Sequence, residues 1–421
     1  MKRVKFENLK PGDIILTAGI TKVGKAIRLS TRGIVSHAMI CVQRGSIIDS
    51  TSDGVQARNL QRELFEDGED VFAFRLRDEL PAAMIAQVVD FARSEIGTRY
   101  SVSEAVRSVL VGPKPRNKRE FCSRLVARAY QSVGIQLVAD HDYCAPEDLR
   151  VSPLLIELSN LTEIVSAEEI AWRTTQPNPI EMMRDAQNKV LGVARSLDPN
   201  IENFQDLSEL VQRHPEWDSV ISQAYRDSRY LELWKHELQT HPWRYDLGAM
   251  ENMQHAANLA ALRAYCIETI SEAYSGGIRF AVNLVYYQDT QKATEGETLG
   301  LLIDLYETLV QNDQNRREVA RGWLLKHYPN DVKQHMERVE PHSDLWFSIV
   351  DRVEPRLGVI ARASIEAQRS KEVCSSCGDE PACDYRITNS AEAMPGVPSL
   401  RLCDDCLSIR RGFGESLDLM D

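Results

Sequence analysis

Cys122 stands at the mouth of a helix-like run, Phe121-Cys122-Ser123-Arg124-Leu125-Val126-Ala127-Arg128-Ala129-Tyr130, and His37 stands in a strand-like run, Ser36-His37-Ala38-Met39-Ile40-Cys41-Val42. A thiol is a weak nucleophile until it ionises. A helix N terminus favours the thiolate through its partial positive charge and free N–H groups. A neighbouring imidazole favours it further and can later protonate a leaving group. The chemistry this pair suits is acyl transfer through sulfur, with the Cys122 backbone N–H as a candidate oxyanion donor. Taken singly, a cysteine in an apolar helix is more often a small core residue, and a strand histidine is more often structural. Context has to decide.

The elements that must position the two groups are read along residues 1–160, which pattern as α+β. Leu9-Lys10-Pro11-Gly12-Asp13-Ile14-Ile15-Leu16-Thr17 gives a turn and then a short apolar strand. Lys22–Leu29 reads as a short helix. Ile34–Val42 and Ser46–Ser50 read as strands joined around Gln43-Arg44-Gly45, and Asp70–Leu76 as another. Met84, Ile85, Val88, Val89, Ala92 and Ile96 recur at helical spacing after Pro81 and before Gly97. Phe121–Val133 is a second helix, with Leu125, Val126, Ala129, Tyr130 and Val133 as its apolar face and Gly134 as its C-cap.

In that order these pieces resemble the permuted NlpC-type branch of papain-like cysteine hydrolases, the YiiX-like and YaeF-like proteins. Lys10-Pro11-Gly12-Asp13-Ile14-Ile15-Leu16 matches the opening strand, Ser36-His37-Ala38-Met39-Ile40 the histidine strand, and Ile47-Ile48-Asp49-Ser50 the strand after it. Gly97-Thr98-Arg99-Tyr100 resembles the Gly-x-x-Tyr segment. Phe121–Val126 resembles the nucleophile helix, and Ala145–Leu149 with Ser152-Pro153 the tail. The histidine precedes the cysteine, the reverse of ordinary papain-like order. The resemblance covers residues 1–160 alone. It implies Cys122 as nucleophile, His37 as general base and a third polar residue orienting the imidazole.

Asp49 is the favoured third residue, twelve positions after His37, where the resembled family places an acid or another polar group. A two-residue turn at Arg44-Gly45 would pair Met39 with Ser50 and turn Asp49 away from His37. A bulge using Gly45 at positive φ restores the face. Ser50 is the runner-up. Upstream of the nucleophile, Gly112-Pro113-Lys114-Pro115-Arg116-Asn117-Lys118-Arg119 reads first as a solvated basic loop, and more sharply as a lid attracting an anionic substrate.

A second constellation closes the chain. Cys374, Cys377, Cys403 and Cys406 form two Cys-x-x-Cys pairs separated by twenty-five residues. The arrangement suits tetrahedral thiolate coordination of zinc in a small ribbon. With four protein ligands it has no open position, so the zinc is expected to be structural. Cys383 is expected to be a bystander. Acidic neighbours (Asp379, Glu380, Asp404, Asp405) favour a protein partner for this segment.

Between the two, residues 166–368 read as almost wholly helical. His214, His236 and His241 lie in separate local patterns and are expected to be structural, with Trp217 and Trp243 as nearby core anchors. Expected domains are therefore 1–160, 165–368 and 370–421: a permuted papain-like α+β domain, an all-α domain and a zinc ribbon.

At 421 residues the chain is too long for one core. Being 43% hydrophobic and 27% charged, it is unlike a disordered chain. The formal charge of −12 divides into roughly +3 over the first 160 residues and roughly −15 over the rest, which argues against a general grip on nucleic acid. No apolar run approaches a membrane span, and Glu7, Lys10 and Asp13 interrupt any signal-like apolar stretch after the basic N terminus. The cysteine usage fits a reducing compartment. The expectation is a cytoplasmic, bacterial cysteine hydrolase acting on a peptide-like or acylated substrate and cleaving an amide bond through a Cys122 thioester. The rivals are an acyltransferase or thioesterase acting on lipid, and a non-catalytic adaptor that recruits a partner through the ribbon.

Overall fold

The computed structural model describes residues 1–19, 28–29, 31, 33–43, 45–80, 82–100, 119–175, 177–253, 259–271, 277–335, 339–387 and 397–420. The expected helix at Lys22–Leu29 lies almost wholly outside them, as does the basic stretch before Arg119. A sheet-rich N-terminal part, a mostly helical region and a small cysteine-rich end follow one another, the expected architecture. The chain divides into two units, Met1–Tyr230 and Leu231–Asp421. The boundary expected at 160–165 falls inside the first of these.

The first unit is built on strands β1 (Lys2–Val4), β2 (Ile14–Thr17), β3 (His37–Gln43), β4 (Ser46–Thr51), β5 (Gly54–Asn59), β6 (Val71–Leu76), β7 (Leu155–Glu157) and β8 (Thr162–Ile164). Six form one antiparallel sheet in the order β5-β4-β3-β2-β6-β7, and β1 pairs with β8. Both faces of the sheet are covered, so its central strands are continuous apolar runs and do not alternate with polar residues. Ile14, Leu16, Ala38, Ile40, Val42 and Ile48 pack with Val88, Val89, Leu125, Val126 and Ala129 from the helices Ala82–Ser94 and Cys122–Gln131. The residues of opposite parity, Ile15, Met39, Cys41 and Ile47, pack with Val4, Leu9, Leu60, Phe65 and Leu161.

Helix Cys122–Gln131 is central to this unit: eight of its ten residues are buried. Phe121 ahead of it is extended, which leaves the first N–H groups of the helix pointing out at Cys122. Leu125 is fully buried in the sheet–helix core. Leu125→Ala is expected to cost about 2–5 kcal/mol, read as a lower urea midpoint with an unchanged slope.

One helix after residue 165 packs against the sheet of the first unit. Helix Pro179–Leu197 lies along the edge strand β5, and the turn leading into helix Phe204–Arg213 reaches the Gly97–Tyr100 segment. In the second unit, Leu262, Cys266 and Ile270 pack with Val319, Trp323 and Leu324 of the long helix Glu297–His327. A separate core joins helices Asp344–Val353 and Pro355–Gln368 to a three-stranded sheet of β9 (Cys383–Ile387), β10 (Ser399–Leu402) and β11 (Leu417–Leu419), in the order β10-β9-β11. Among the described residues, the fully buried tryptophans are Trp323 and Trp346. Trp217 and Trp243 are half-buried, against His214 and Tyr265.

Candidate active site and cysteine cluster

The face of Asp49 is set by one residue of register. β3 pairs with β4 through Met39↔Asp49, Ile40↔Ile48 and Cys41↔Ile47, and the register then shifts between Cys41 and Gln43. Gly45 sits at φ +76°, a conformation that side-chain-bearing residues rarely adopt. The bulge puts Asp49 opposite Met39, and so on the same face as His37 two residues earlier. Ser50, of opposite parity, points away, and its Oγ donates to the Glu120 carbonyl at 3.1 Å.

His37 Nε2 and Asp49 Oδ2 are 2.8 Å apart. That contact leaves Nδ1 for the Cys122 sulfur, to which the His37 ring is hydrogen bonded. Burial alone would lower the His37 pKa, but the Cys122 thiolate and the Asp49 carboxylate outweigh it and push it up to about 10. Burial would raise the Cys122 thiol. The His37 imidazolium, with backbone hydrogen bonds from Ala38 and Ser123, holds it below the usual thiol range instead. Burial would likewise raise Asp49, and His37 and Arg58 bring it below the usual carboxylate range. Arg58, on β5, donates from Nε to Asp49 Oδ1 at 2.8 Å. Arg58 is not singled out by the sequence, although Val55 and Ala57 alternate with Gln56 and Arg58 as an edge strand requires.

Charged groups anchor both sides of Cys122. Arg124 is fully buried, with its guanidinium 4.5 Å from the Phe121 ring centroid and 4.9 Å from that of Tyr143, and its Nε donates to the Asp142 carbonyl at 2.7 Å. Arg128 pairs with Glu120 and Asp142. Burial pushes the Glu120 carboxyl up to about 8 in spite of Arg128. Tyr100 bridges Glu120 in parallel fashion, and burial together with the Cys122 charge raises its phenol. Buried Glu202, from the helical segment, accepts from the Arg99 backbone N–H at 3.1 Å and from its guanidinium at 2.8 and 2.6 Å, with Arg119 Nε at 3.4 Å. Nothing in the sequence pattern ties Glu202 to residues 99 and 119.

In the second unit, the sulfurs of Cys374, Cys377, Cys403 and Cys406 all lie within 4.8 Å of one another. Among the described residues these four are the group of cysteine, histidine and carboxylate side chains arranged to hold a metal ion. Gly378 at φ +83° turns the first knuckle, and its N–H donates to the Cys374 carbonyl at 3.0 Å. Cys403 caps the helix Asp404–Gly412, which carries Cys406 in its first turn. Burial opposes ionisation of Cys374, but backbone hydrogen bonds from Cys403, Ser376 and Cys377 bring its pKa to about 7. Four thiolate donors at such separations fit a tetrahedral soft-metal site, in which sulfurs about 2.3 Å from the ion stand about 3.8 Å apart. Cys383 is exposed at the start of β9, outside the group. His214 and His241 have local carboxylate partners, Glu216 and Glu237, and His236 bonds Thr240.

A histidine strand that precedes the nucleophile helix, with the two meeting at the end of an antiparallel sheet, is a papain-like arrangement in permuted order. Residues 8–143 match the model of the permuted papain-like amidase enzymes of the YaeF/YiiX type, the C92 family. The match spans roughly a third of the chain, includes His37, Asp49 and Cys122, and supports amide hydrolysis as the general activity. Among solved structures, the chain is similar to the metalloprotein yiiX from Escherichia coli O157:H7, at 18% identity over 36% of this chain and 96% of that one, with a TM-score of 0.30. Comparison with curated proteins finds no match.

Proposed function

We propose that the protein is a thiol hydrolase of amide bonds. The observation that carries this reading is the contact of one imidazole with both a helix-terminal sulfur and a buried carboxylate. The Cys122 thiolate attacks the carbonyl carbon of a peptide-like substrate, and the Cys122 backbone N–H faces the developing oxyanion. The His37 imidazolium gives its proton to the departing amine as the C–N bond breaks, leaving a thioester on sulfur. Neutral His37 then takes a proton from water, whose oxygen attacks the thioester. The acid leaves and the thiolate–imidazolium pair is restored. Asp49 holds the ring and stabilises its cationic form.

A thiol-directed activity probe should label the wild type and not Cys122→Ala. Product analysis on paired amide and ester substrates then separates an amidase from an acyltransferase or thioesterase, and ester turnover alone would defeat the amidase reading. Asp49→Asn removes the carboxylate that helps raise the His37 pKa. The alkaline limb of kcat/KM should therefore move from near 10 to lower pH, with a loss of about 10²–10³-fold at the optimum. A pH–rate profile checks both.

Cys374, Cys377, Cys403 and Cys406 would hold one structural zinc ion, which supplies a charge-neutralising cross-link and no chemistry to the active site. With four of the nine cysteines in one metal-type cluster and a fifth at the nucleophile position, cysteine usage favours a reducing, cytoplasmic compartment.

A further inference from the structure

Asp49 lies on β4 between two partners on adjacent strands. Met39 pairs with Asp49, which sets His37 diagonally to one side, and Ile47 pairs with Arg58, which sets Arg58 diagonally to the other. All three side chains share one face, because each is displaced by two residues from a directly paired position. The contacts follow this row: His37 Nε2 to Asp49 Oδ2 at 2.8 Å and Arg58 Nε to Asp49 Oδ1 at 2.8 Å. Arg58 Nη2 is tied in turn to Thr51 Oγ1 at 3.2 Å. Each carboxylate oxygen thus has its own partner, and the carboxylate plane is fixed from both sides.

We propose that Arg58 is a positioning residue for the reaction, a fourth member of the row that sets the ionisation of the Cys122–His37 pair through Asp49. This rests on the hydrolase reading given above. The ordinary alternative is a salt bridge that merely satisfies a buried carboxylate. The two differ in what the sulfur senses. With Arg58 present, thiolate, imidazolium, carboxylate and guanidinium sum to no net charge. Without it, the row carries one net negative charge in a largely buried site. That charge disfavours the thiolate and favours the imidazolium, so both pKa values rise.

Among the described residues, the other groups that act on the row are carboxyls, a phenol and the Cys144 thiol, which faces Cys122. Asp53 from the β4–β5 turn and Glu63 beyond β5 act on Arg58, Glu181 of helix Pro179–Leu197 acts on Glu63, and Tyr100 faces Cys122. Arg58 is the cation these groups surround on the far side of Asp49, and its loss is therefore felt with one sign.

The test reads the sulfur directly. Alkylation of Cys122 by iodoacetamide is followed by peptide-resolved mass spectrometry as a function of pH on the full chain, beside the pH profile of kcat/KM. Arg58→Met keeps the aliphatic stem and removes the charge. It should move the thiol ionisation and the alkaline limb together to higher pH by about one unit. Arg58→Lys should return both towards the wild type. Glu63→Gln leaves the Arg58–Asp49 pair intact and should move both limbs the other way, which keeps the proposal open to refutation where Arg58→Met does not fold. Unmoved limbs in either charge-removing variant, with only the amplitude reduced, would overturn it. Alkylation needs no substrate, so the two levels separate. An ordinary thiol titration in the wild type removes the hydrolase reading itself, whereas a depressed one that ignores Arg58 removes only this inference.

Discussion

Cys122→Ala is expected to abolish turnover and leave the fold standing. Rate loss should reach about 10⁴-fold or more, because without the sulfur no covalent intermediate forms and the oxyanion donor has nothing to act on. The structural cost is small. Cys122 is a minor part of a core that includes Leu125, Val126, Ala129 and Tyr130, and removing one sulfur leaves a void smaller than a leucine-to-alanine change creates. Circular dichroism and the urea midpoint should stay close to the wild type. A second consequence has a definite sign. The thiolate is the largest upward influence on His37, so in Cys122→Ala its pKa must fall from about 10 towards the ordinary imidazole range, held up only by Asp49. Imidazole titration by NMR reads this shift without any substrate. Retained amide hydrolysis in the variant would sink the thiol reading outright, and an unmoved His37 pKa would show that the ring is not paired with the sulfur.

The two groups of that pair stand out in the sequence because each sits at the end of a strongly patterned element. The apolar face Leu125–Val133 marks the helix and its N terminus at Cys122, and the Ala38–Val42 run marks the strand. Asp49 was a matter of register: Gly45 allowed a bulge but could not require one, and the φ of +76° with the Cys41/Gln43 shift settles the face. Arg58 and Glu202 escaped for a different reason. Each acts across a distance that local periodicity does not encode, Arg58 on a polar edge strand and Glu202 more than a hundred residues from its partner Arg99. The same holds for the first unit's extent. Helix Pro179–Leu197 is amphipathic in the ordinary way, and only its contacts with β5 and Gly97 reveal that it packs with the sheet.

Removing metal from the four-cysteine group should unfold the end of the second unit and spare catalysis. Four sulfurs within 4.8 Å cannot all be anionic without a cation between them, so the cluster demands a bound ion or protonated thiols. Structural zinc contributes about 10–16 kcal/mol in isolated finger peptides, but the ribbon here is not isolated. Tyr385, Leu400, Leu402, Leu407 and Leu417 share a core with Trp346, Ile349 and Leu357. Trp346 Nε1 also donates to the Ser399 carbonyl at 2.7 Å. Cys374 is itself in that core, and its neighbour Ser375 is held by His342 at 2.8 Å and by the Arg401 N–H at 3.1 Å. Cys374→Ser is therefore expected to lose one metal ion per chain. The ribbon should become open to proteolysis, and the damage should spread to helices Asp344–Val353 and Pro355–Gln368 through Trp346. Metal analysis, limited proteolysis and tryptophan fluorescence follow these steps. Among the described residues, the cores of the first unit's sheet share no member with this one, so Cys122 labelling by the thiol probe should persist. Loss of labelling together with the metal would overturn the separation of the Cys122 site from the four-cysteine end.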